Sequence, residues 1–420
     1  MTSSFLFVVP PLAGHVLPTI GLGRELAARG HRVVWAGSEL VLRPLLGPDA
    51  RVARTGSRLF RPQGGSGEAA LRSLWDGFVV PYARFTAKAL DAAVRTERPD
   101  VLVVDQHTPA GALTAHRHRL PWASLAPGLM ELGRPFPEAE PWIEERLRGL
   151  WRRAGLPEEE YLDPRFSPEL VLALTGEALA GDAFGAGIAF DAGAAFDAGA
   201  AFGAGTALVG PVLAERPEGP GFPWERLDPT RRHLLVSMGT LADDVSVDFL
   251  RRVGAALRLL GPEVPAVVVA PPELWEAFPT WSVPVERAPV LELLARGRVS
   301  ALLGHGGLNT TSEALAHGVP VVLAPIRHDQ PLVAGRVAAA GAGVCVDFAG
   351  ATPERLAEAV LTVRREPSYR EAAGRLGHEL LSKGGARAAV DRLERLASTR
   401  RDPANDLVQT IAASPADPLG

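Results

Sequence analysis

At 420 residues, with 47% of positions hydrophobic, the chain has material for two domains of about 200 residues each. Its formal net charge of −4 offers no field for a polyanion, which sets nucleic acid aside as a partner. The single cysteine, Cys345, excludes an internal disulfide; no basic leader precedes the first apolar run, and no run reaches the roughly 18 residues of a membrane span, so a cytoplasmic protein without an integral membrane segment is expected.

The first apolar run, Phe5–Val9, has the length of a buried strand and breaks at Pro10-Pro11. Gly14 and His15 follow in a loop ending at Pro18, and an apolar-periodic helix is expected from about Thr19 to Ala28, stopped by Arg29-Gly30. His31–Ala36 is the next strand, so His15 lies at the carboxyl end of the first. Gly64, Gly65 and Gly67 mark a flexible-looking stretch. Trp75, Phe78 and Tyr82 recur at helical spacing, with Phe85 beyond them. They read first as core; part of the set, with Met130, is left to line a pocket for a hydrophobic small molecule. Val101–Asp105 is another buried strand, and its terminal carboxylate suits either a helix N-cap or the partner of a nearby imidazole. His116 and His118, two apart on a helix, point apart and make no metal site.

From Phe184 to Ala207 a six-residue unit repeats four times, with Phe184, Phe190, Phe196 and Phe202 in phase. It reads as an expanded loop, with an edge strand or a partner-binding ribbon as the alternative. Pro- and Gly-rich sequence over 211–229 reads as a linker. The expected organisation is therefore an N-terminal domain 1–210, a C-terminal domain 230–385, a closing helix 386–401 and a disordered tail 402–420. Strands at His233–Thr240 and Ala266–Ala270 begin the second half.

The 44 residues Arg287–Gln330 carry the most information. An apolar run feeds His305-Gly306-Gly307, which opens into a helix; Asn309 is placed to cap it, and Gly318 with Pro320 stops it. A second apolar run ends at Pro325, shortly before Asp329-Gln330. Polar groups thus stand at the carboxyl ends of two strands, where open parallel sheets bind ligands. A helix N-terminus reached through glycines suits a phosphate or diphosphate. Asparagine occurs only at Asn309 and Asn405, so its presence in this turn points to a specific task.

This segment resembles the donor-binding signature of family 1 glycosyltransferases. Plant members carry a 44-residue box that opens with Trp, closes with Glu/Asp-Gln and holds His-Cys-Gly-Trp-Asn-Ser at its centre. His305, Asn309, Thr310, Glu313, Asp329 and Gln330 stand at the matching spacings, while Arg287 and Val290 depart from the family's Trp and Gln. Gly14-His15 with Pro18 is similar to the family's catalytic-base segment, and the strand ending at Asp105 to the one that supplies its partner. The resemblance implies an α/β chain of the GT-B fold, with two Rossmann-like, doubly wound parallel-sheet domains facing a cleft. Its last helix returns to the N-terminal domain.

The resemblance further implies that His15 and Asp105 are catalytic. His305, Gly307, Leu308, Asn309 and Thr310 would hold the diphosphate, Glu313 the ribose, and Asp329 and Gln330 the sugar; Gly14, Gly239 and Thr240 would approach the donor. Trp75, Phe78, Tyr82 and Met130 are the acceptor candidates. No cofactor or metal is expected beyond a UDP- or TDP-sugar co-substrate, and the acceptor is expected to be a hydrophobic natural product. Glucose is the first candidate for the sugar. A TDP-deoxysugar transferase, a sugar-nucleotide epimerase and a non-catalytic helper remain alternatives, and a homodimer is left open.

Overall fold

Short apolar runs alternating with helices build two fully parallel sheets. The first has the order β3-β2-β1-β4-β5-β6-β7, from β1 (Ser4–Val8), β2 (Arg32–Gly37), β3 (Val52–Arg54), β4 (Val101–Asp105), β5 (Trp122–Ala126), β6 (Leu170–Ala173) and β7 (Thr206–Leu208). The second has the order β10-β9-β8-β11-β12-β13, from β8 (His233–Ser237), β9 (Ala266–Val269), β10 (Ser282–Val285), β11 (Val299–Gly304), β12 (Val321–Leu323) and β13 (Gly343–Cys345). This computed structural model describes residues 2–58, 66–181, 205–214, 221–239 and 243–399. Thr240, Gly64, Gly65, most of the Phe184–Ala207 repeat, part of the expected linker and the expected tail lie outside the described residues. Thr206 and Ala207, the last residues of the repeat, form β7 against Val171 and Leu172 of β6.

Both faces of the first sheet are buried, which is why its central strands read as continuous apolar runs. Leu6, Val8, Leu102 and Val104 pack on one face with Trp75, Phe78 and Tyr82. Phe5, Phe7, Val101 and Val103 pack on the other with Leu22 and Leu26 of the first helix, Ala13–Ala28. The closing helix Gly385–Thr399 lays Val390, Leu393 and Leu396 into that same cluster, a stripe at helical spacing. Arg29 fixes it from the edge, reaching Asp391 at 2.6 Å and Glu394 at 2.7 Å.

Two expectations need correction here. The first helix begins at Ala13 rather than near Thr19 and carries Pro18 inside it. Pro18 removes the N–H that would bond the Gly14 carbonyl one turn back, and that oxygen finds another donor, the Asn309 side-chain amide at 2.6 Å. The aromatic set is core: Trp75, Phe78 and Tyr82 are at most 2% exposed, and Met130 is 7% exposed. Fully packed rings at these positions present no free surface to an acceptor.

In the second domain the helix Leu308–Ala316 lies very close to the helix Pro367–Ser382. A Cβ on Gly377 would stand 2.1 Å from the Leu315 carbonyl oxygen, which is backbone and has nowhere to go. Gly377→Ala should therefore lose roughly 1–3 kcal/mol of stability, although alanine is the better helix former. Urea unfolding of both proteins measures this; an unchanged or raised midpoint would mean that the helices separate freely.

Candidate active site

The strand order of each sheet reverses once, between β1 and β4 and between β8 and β11. The chain leaves β1 and β4 at the residues leading to His15 and at Asp105, and it leaves β8 and β11 at Gly239 and His305. All four thus stand at the carboxyl ends beside a topological switch point, where doubly wound sheets form their ligand crevice.

His15 Nδ1 lies 2.8 Å from Asp105 Oδ2. The carboxylate is fully buried, while the imidazole side chain is 20% exposed. With the carboxylate oxygen as acceptor, Nδ1 is the donor and Nε2 keeps its lone pair. Asp105 is itself held in place: its Oδ1 accepts from the His107 backbone N–H at 2.9 Å.

The His305–Gly307 turn opens into a helix as expected, with one change of role. Gly307, not Asn309, caps the helix Leu308–Ala316; Asn309 is its second residue. The Asn309 Nδ2 instead donates across the cleft to the Gly14 carbonyl oxygen at 2.6 Å. His305 lies against glycine on both sides. A Cβ on Gly239 would come within 2.6 Å of its ring, and a Cβ on Gly307 within 2.5 Å. Burial pushes this imidazole down to about 4, against the pull of a hydrogen bond to the Ser237 carbonyl, so it is neutral at pH 7. His305 therefore works as a hydrogen-bonding group, not a fixed cation. Thr310 lies on the same helix half-buried, and Glu313 is buried there.

Asp329 and Gln330 approach the N-terminal domain, but Asp329 Oδ2 and Gln330 Oε1 already have partners. Asp329 Oδ2 accepts from the Leu129 N–H at 2.7 Å. Gln330 Oε1 accepts from the N–H groups of Ile326 and Arg327 at 2.8 and 3.0 Å, bracing its own loop. Burial raises the Asp329 carboxyl above its ordinary range, with the Leu129 bond opposing.

Four residues that the sequence reading missed join the site. The His107 ring packs against that of His15, centroids 4.7 Å apart, with Nε2 3.5 Å from Glu131 Oε1. Burial alone would lower His107, but its bond to Glu131 and the charges of Glu131, Asp105 and Asp329 outweigh this and raise it. Glu131 is in turn held at 3.0 Å by Arg165, a buried guanidinium that also binds Asp163 and Glu140. Burial alone would raise Glu131; His107 and Arg165 reverse the shift. His328, with φ of 58°, is pushed down to about 3 by burial and then by the charge of His107. The Asp105-x-His107 spacing was the one signal available; the other contacts are long-range.

His15, Asp105 and His107 are also the one group of metal-ligating side chains found among the described residues, with ligand atoms within 4.8 Å of one another.

His305 and His328 fix a pH dependence. Both are neutral when folded and titrate near 6.5 when unfolded, so between pH 6.5 and about 4 unfolding takes up protons. Their contribution is complete above pH 6.5 and is lost as pH falls, with a slope of up to about 1.4 kcal/mol per pH unit for each. His328→Asn, which tolerates the left-handed backbone, should flatten the fall in urea-unfolding stability between pH 7 and pH 5. An identical slope in wild type and variant would count against the assignment.

With this geometry in place, comparison with known proteins is direct. Residues 273–396 match the erythromycin biosynthesis protein CIII-like family, C-terminal domain. The chain is 25% identical to the uncharacterized UDP-glucosyltransferase YojK of Bacillus subtilis, over 96% of this chain and 100% of that protein. It is 27% identical to demethyllactenocin mycarosyltransferase of Streptomyces fradiae, over 93% of this chain and 86% of that one. The crystal structure of CalG4, the calicheamicin glycosyltransferase, superimposes with a TM-score of 0.70 at 25% identity, covering 94% of this chain and 98% of that one. Two parallel Rossmann-like sheets and these full-length likenesses show a glycosyltransferase of the GT-B fold, whose residues 273–396 are similar to the erythromycin-CIII-like C-terminal domain.

Proposed function

We propose that the enzyme is an inverting transferase that moves a hexose, glucose first, from a UDP- or TDP-sugar to a hydroxyl of a hydrophobic natural product. The observation that carries this reading is the 2.8 Å His15–Asp105 pair, with the Asn309 turn bonded to the adjacent Gly14. His15 Nε2 takes the acceptor hydroxyl proton as that oxygen forms its bond to the anomeric carbon. The bond from that carbon to the diphosphate breaks on the opposite face, which inverts the centre. Asp105 stabilises the imidazolium formed. The N–H groups at the start of the helix Leu308–Ala316, with Thr310 and neutral His305, take the charge developing on the nucleoside diphosphate. Glu313 is assigned to the ribose hydroxyls. No step calls on a divalent ion or other cofactor.

The acceptor enters on the N-terminal side of the cleft, beside the partly exposed imidazole of His15. Relatives named for UDP-glucosyl and mycarosyl transfer support a small-molecule acceptor and leave the sugar to experiment. For glucose speak the second oxygen of Asp329 and the Gln330 amide nitrogen, both suited to sugar hydroxyls. For a deoxysugar speaks the engagement of Asp329 Oδ2 with Leu129 and of Gln330 Oε1 with its own loop, which leaves fewer groups for hydroxyls.

His15→Ala should lower turnover by about two to four orders of magnitude with little change in donor affinity, and a chelator should leave the wild-type rate intact. Near-normal turnover of the variant with an unactivated alcohol, or chelator inhibition reversed by a divalent ion, would sink the scheme. Asp329→Ala separates the donor readings. If the carboxylate holds sugar hydroxyls, binding of UDP-glucose should weaken about ten- to a hundredfold while UDP is nearly unaffected. Calorimetric titration of both ligands decides; equal losses would make Asp329 a bridge to Leu129 only.

A further inference from the structure

The second domain holds a cavity of about 460 Å³ far from the cleft, at the amino ends of its strands. Arg231 and Arg232 lead into β8, Ser300 lies near the start of β11, and Arg364 and Arg365 form the last turn of the helix Pro353–Arg365. Ser300 is separated from Gly304 and the donor turn by roughly 13 Å of strand, at about 3.3 Å per residue. Four guanidinium groups and one carboxylate, Glu263, therefore line a single space. Among the described residues none of the four arginines is in a salt bridge.

Several features separate this cavity from an ordinary basic surface. Arg231 is fixed by donating to the carbonyls of Pro262 at 3.0 Å and Glu263 at 2.6 Å. Arg364 Nε and the hydroxyl of Ser300, itself 7% exposed, are buried without a hydrogen-bond partner. Burial, then repulsion from Arg231 and Arg365, lowers the Arg364 guanidinium; burial and Arg232 do the same to neighbouring Arg370. The C-terminus of a helix attracts cations and accounts for Arg364 and Arg365. It does not account for Arg231 and Arg232, which arrive from a separate element. Arg231 and Arg364 are partly buried, with Arg232 and Arg365 exposed at the rim, and like charges brought together at a half-buried site are costly unless an anion joins them.

We propose that this cavity is a second anion site, taking a small phosphate-bearing molecule with at least two negative charges. Planar guanidinium forks match phosphate oxygens bidentately, and the Ser300 hydroxyl supplies a further donor. Leu260 and Val264 give the site an apolar wall for the rest of the molecule. The volume lies within the roughly 300–1,000 Å³ of small-molecule sites.

Inorganic pyrophosphate is the probe, titrated calorimetrically at constant ionic strength into the full chain, Arg364→Gln, Ser300→Ala and the cleft variant His305→Ala. Binding should persist in His305→Ala, weaken at least tenfold in Arg364→Gln and weaken severalfold in Ser300→Ala. Without ligand, Arg364→Gln should melt at or above the wild-type midpoint, because a repulsion is relieved, and pyrophosphate should raise the wild-type and His305→Ala midpoints more than that of Arg364→Gln. Binding lost in His305→Ala but kept in Arg364→Gln would place the anion in the cleft and overturn the proposal. So would absence of binding, an equal response to chloride, or a ligand-free Arg364→Gln that melts several degrees lower. Should Arg364→Gln fail to fold, Arg232→Gln carries the same tenfold expectation.

Discussion

Pro18 stands five residues inside the helix Ala13–Ala28 and has no N–H to give the Gly14 carbonyl one turn back. In an ordinary helix that oxygen would be consumed internally. Here it accepts from Asn309 Nδ2 at 2.6 Å, on the far side of the cleft. The gap in one hydrogen-bond ladder is thus filled by the other domain, and it is filled one residue before His15. The turn that starts the helix Leu308–Ala316 is tied directly to the helix that presents the His15 imidazole. Displacement of either domain must break a bond to a carbonyl with no alternative intrahelical donor.

A second chain of contacts runs beneath the dyad. Arg165 gathers Asp163, Glu140 and Glu131; Glu131 faces His107; His107 lies against His15 and, through its backbone, holds Asp105. Buried charges of this kind persist because they are paired, and removal of one strands the next. The rigidity needed to keep His15 Nδ1 on Asp105 therefore originates some distance from the reacting atoms. It is distributed over β4, the short helix Met130–Gly133 and the loop before β6. Asp329 reaches the same region from the second domain through Leu129, so the network also meets the domain interface.

What was legible in the sequence follows the range of the forces involved. Strands β1, β4, β8 and β11 are buried on both faces, and their apolar runs and polar ends could be read directly. The His305–Gly307 turn was legible for the same reason, since glycine and the helix start are local signals. The start of the first helix was misplaced because Pro18 was taken as a boundary, whereas the hydrogen bond it removes is replaced from the other domain by Asn309, a long-range contact with no local signal. Trp75, Phe78 and Tyr82 were left between pocket and core because periodicity identifies the buried face but not what covers it. The Arg165–Glu131–His107 chain joins residues 24 to 34 positions apart and has no period at all.

The scarcity of asparagine gains a physical reason from the Gly14 contact. The acceptor there is a carbonyl oxygen, so the residue opposite must donate. Aspartate, otherwise the closest match in shape, only accepts when ionised and would set charge against the carbonyl dipole. Serine and threonine can donate, but their hydroxyls sit one bond nearer the backbone. Glutamine can donate too, though it adds a methylene and a rotor to freeze. An N-cap role would accept aspartate, serine or threonine equally well, and that role belongs to Gly307. The position thus calls for a short, neutral, rigid donor, and of the ordinary side chains only asparagine meets all three conditions.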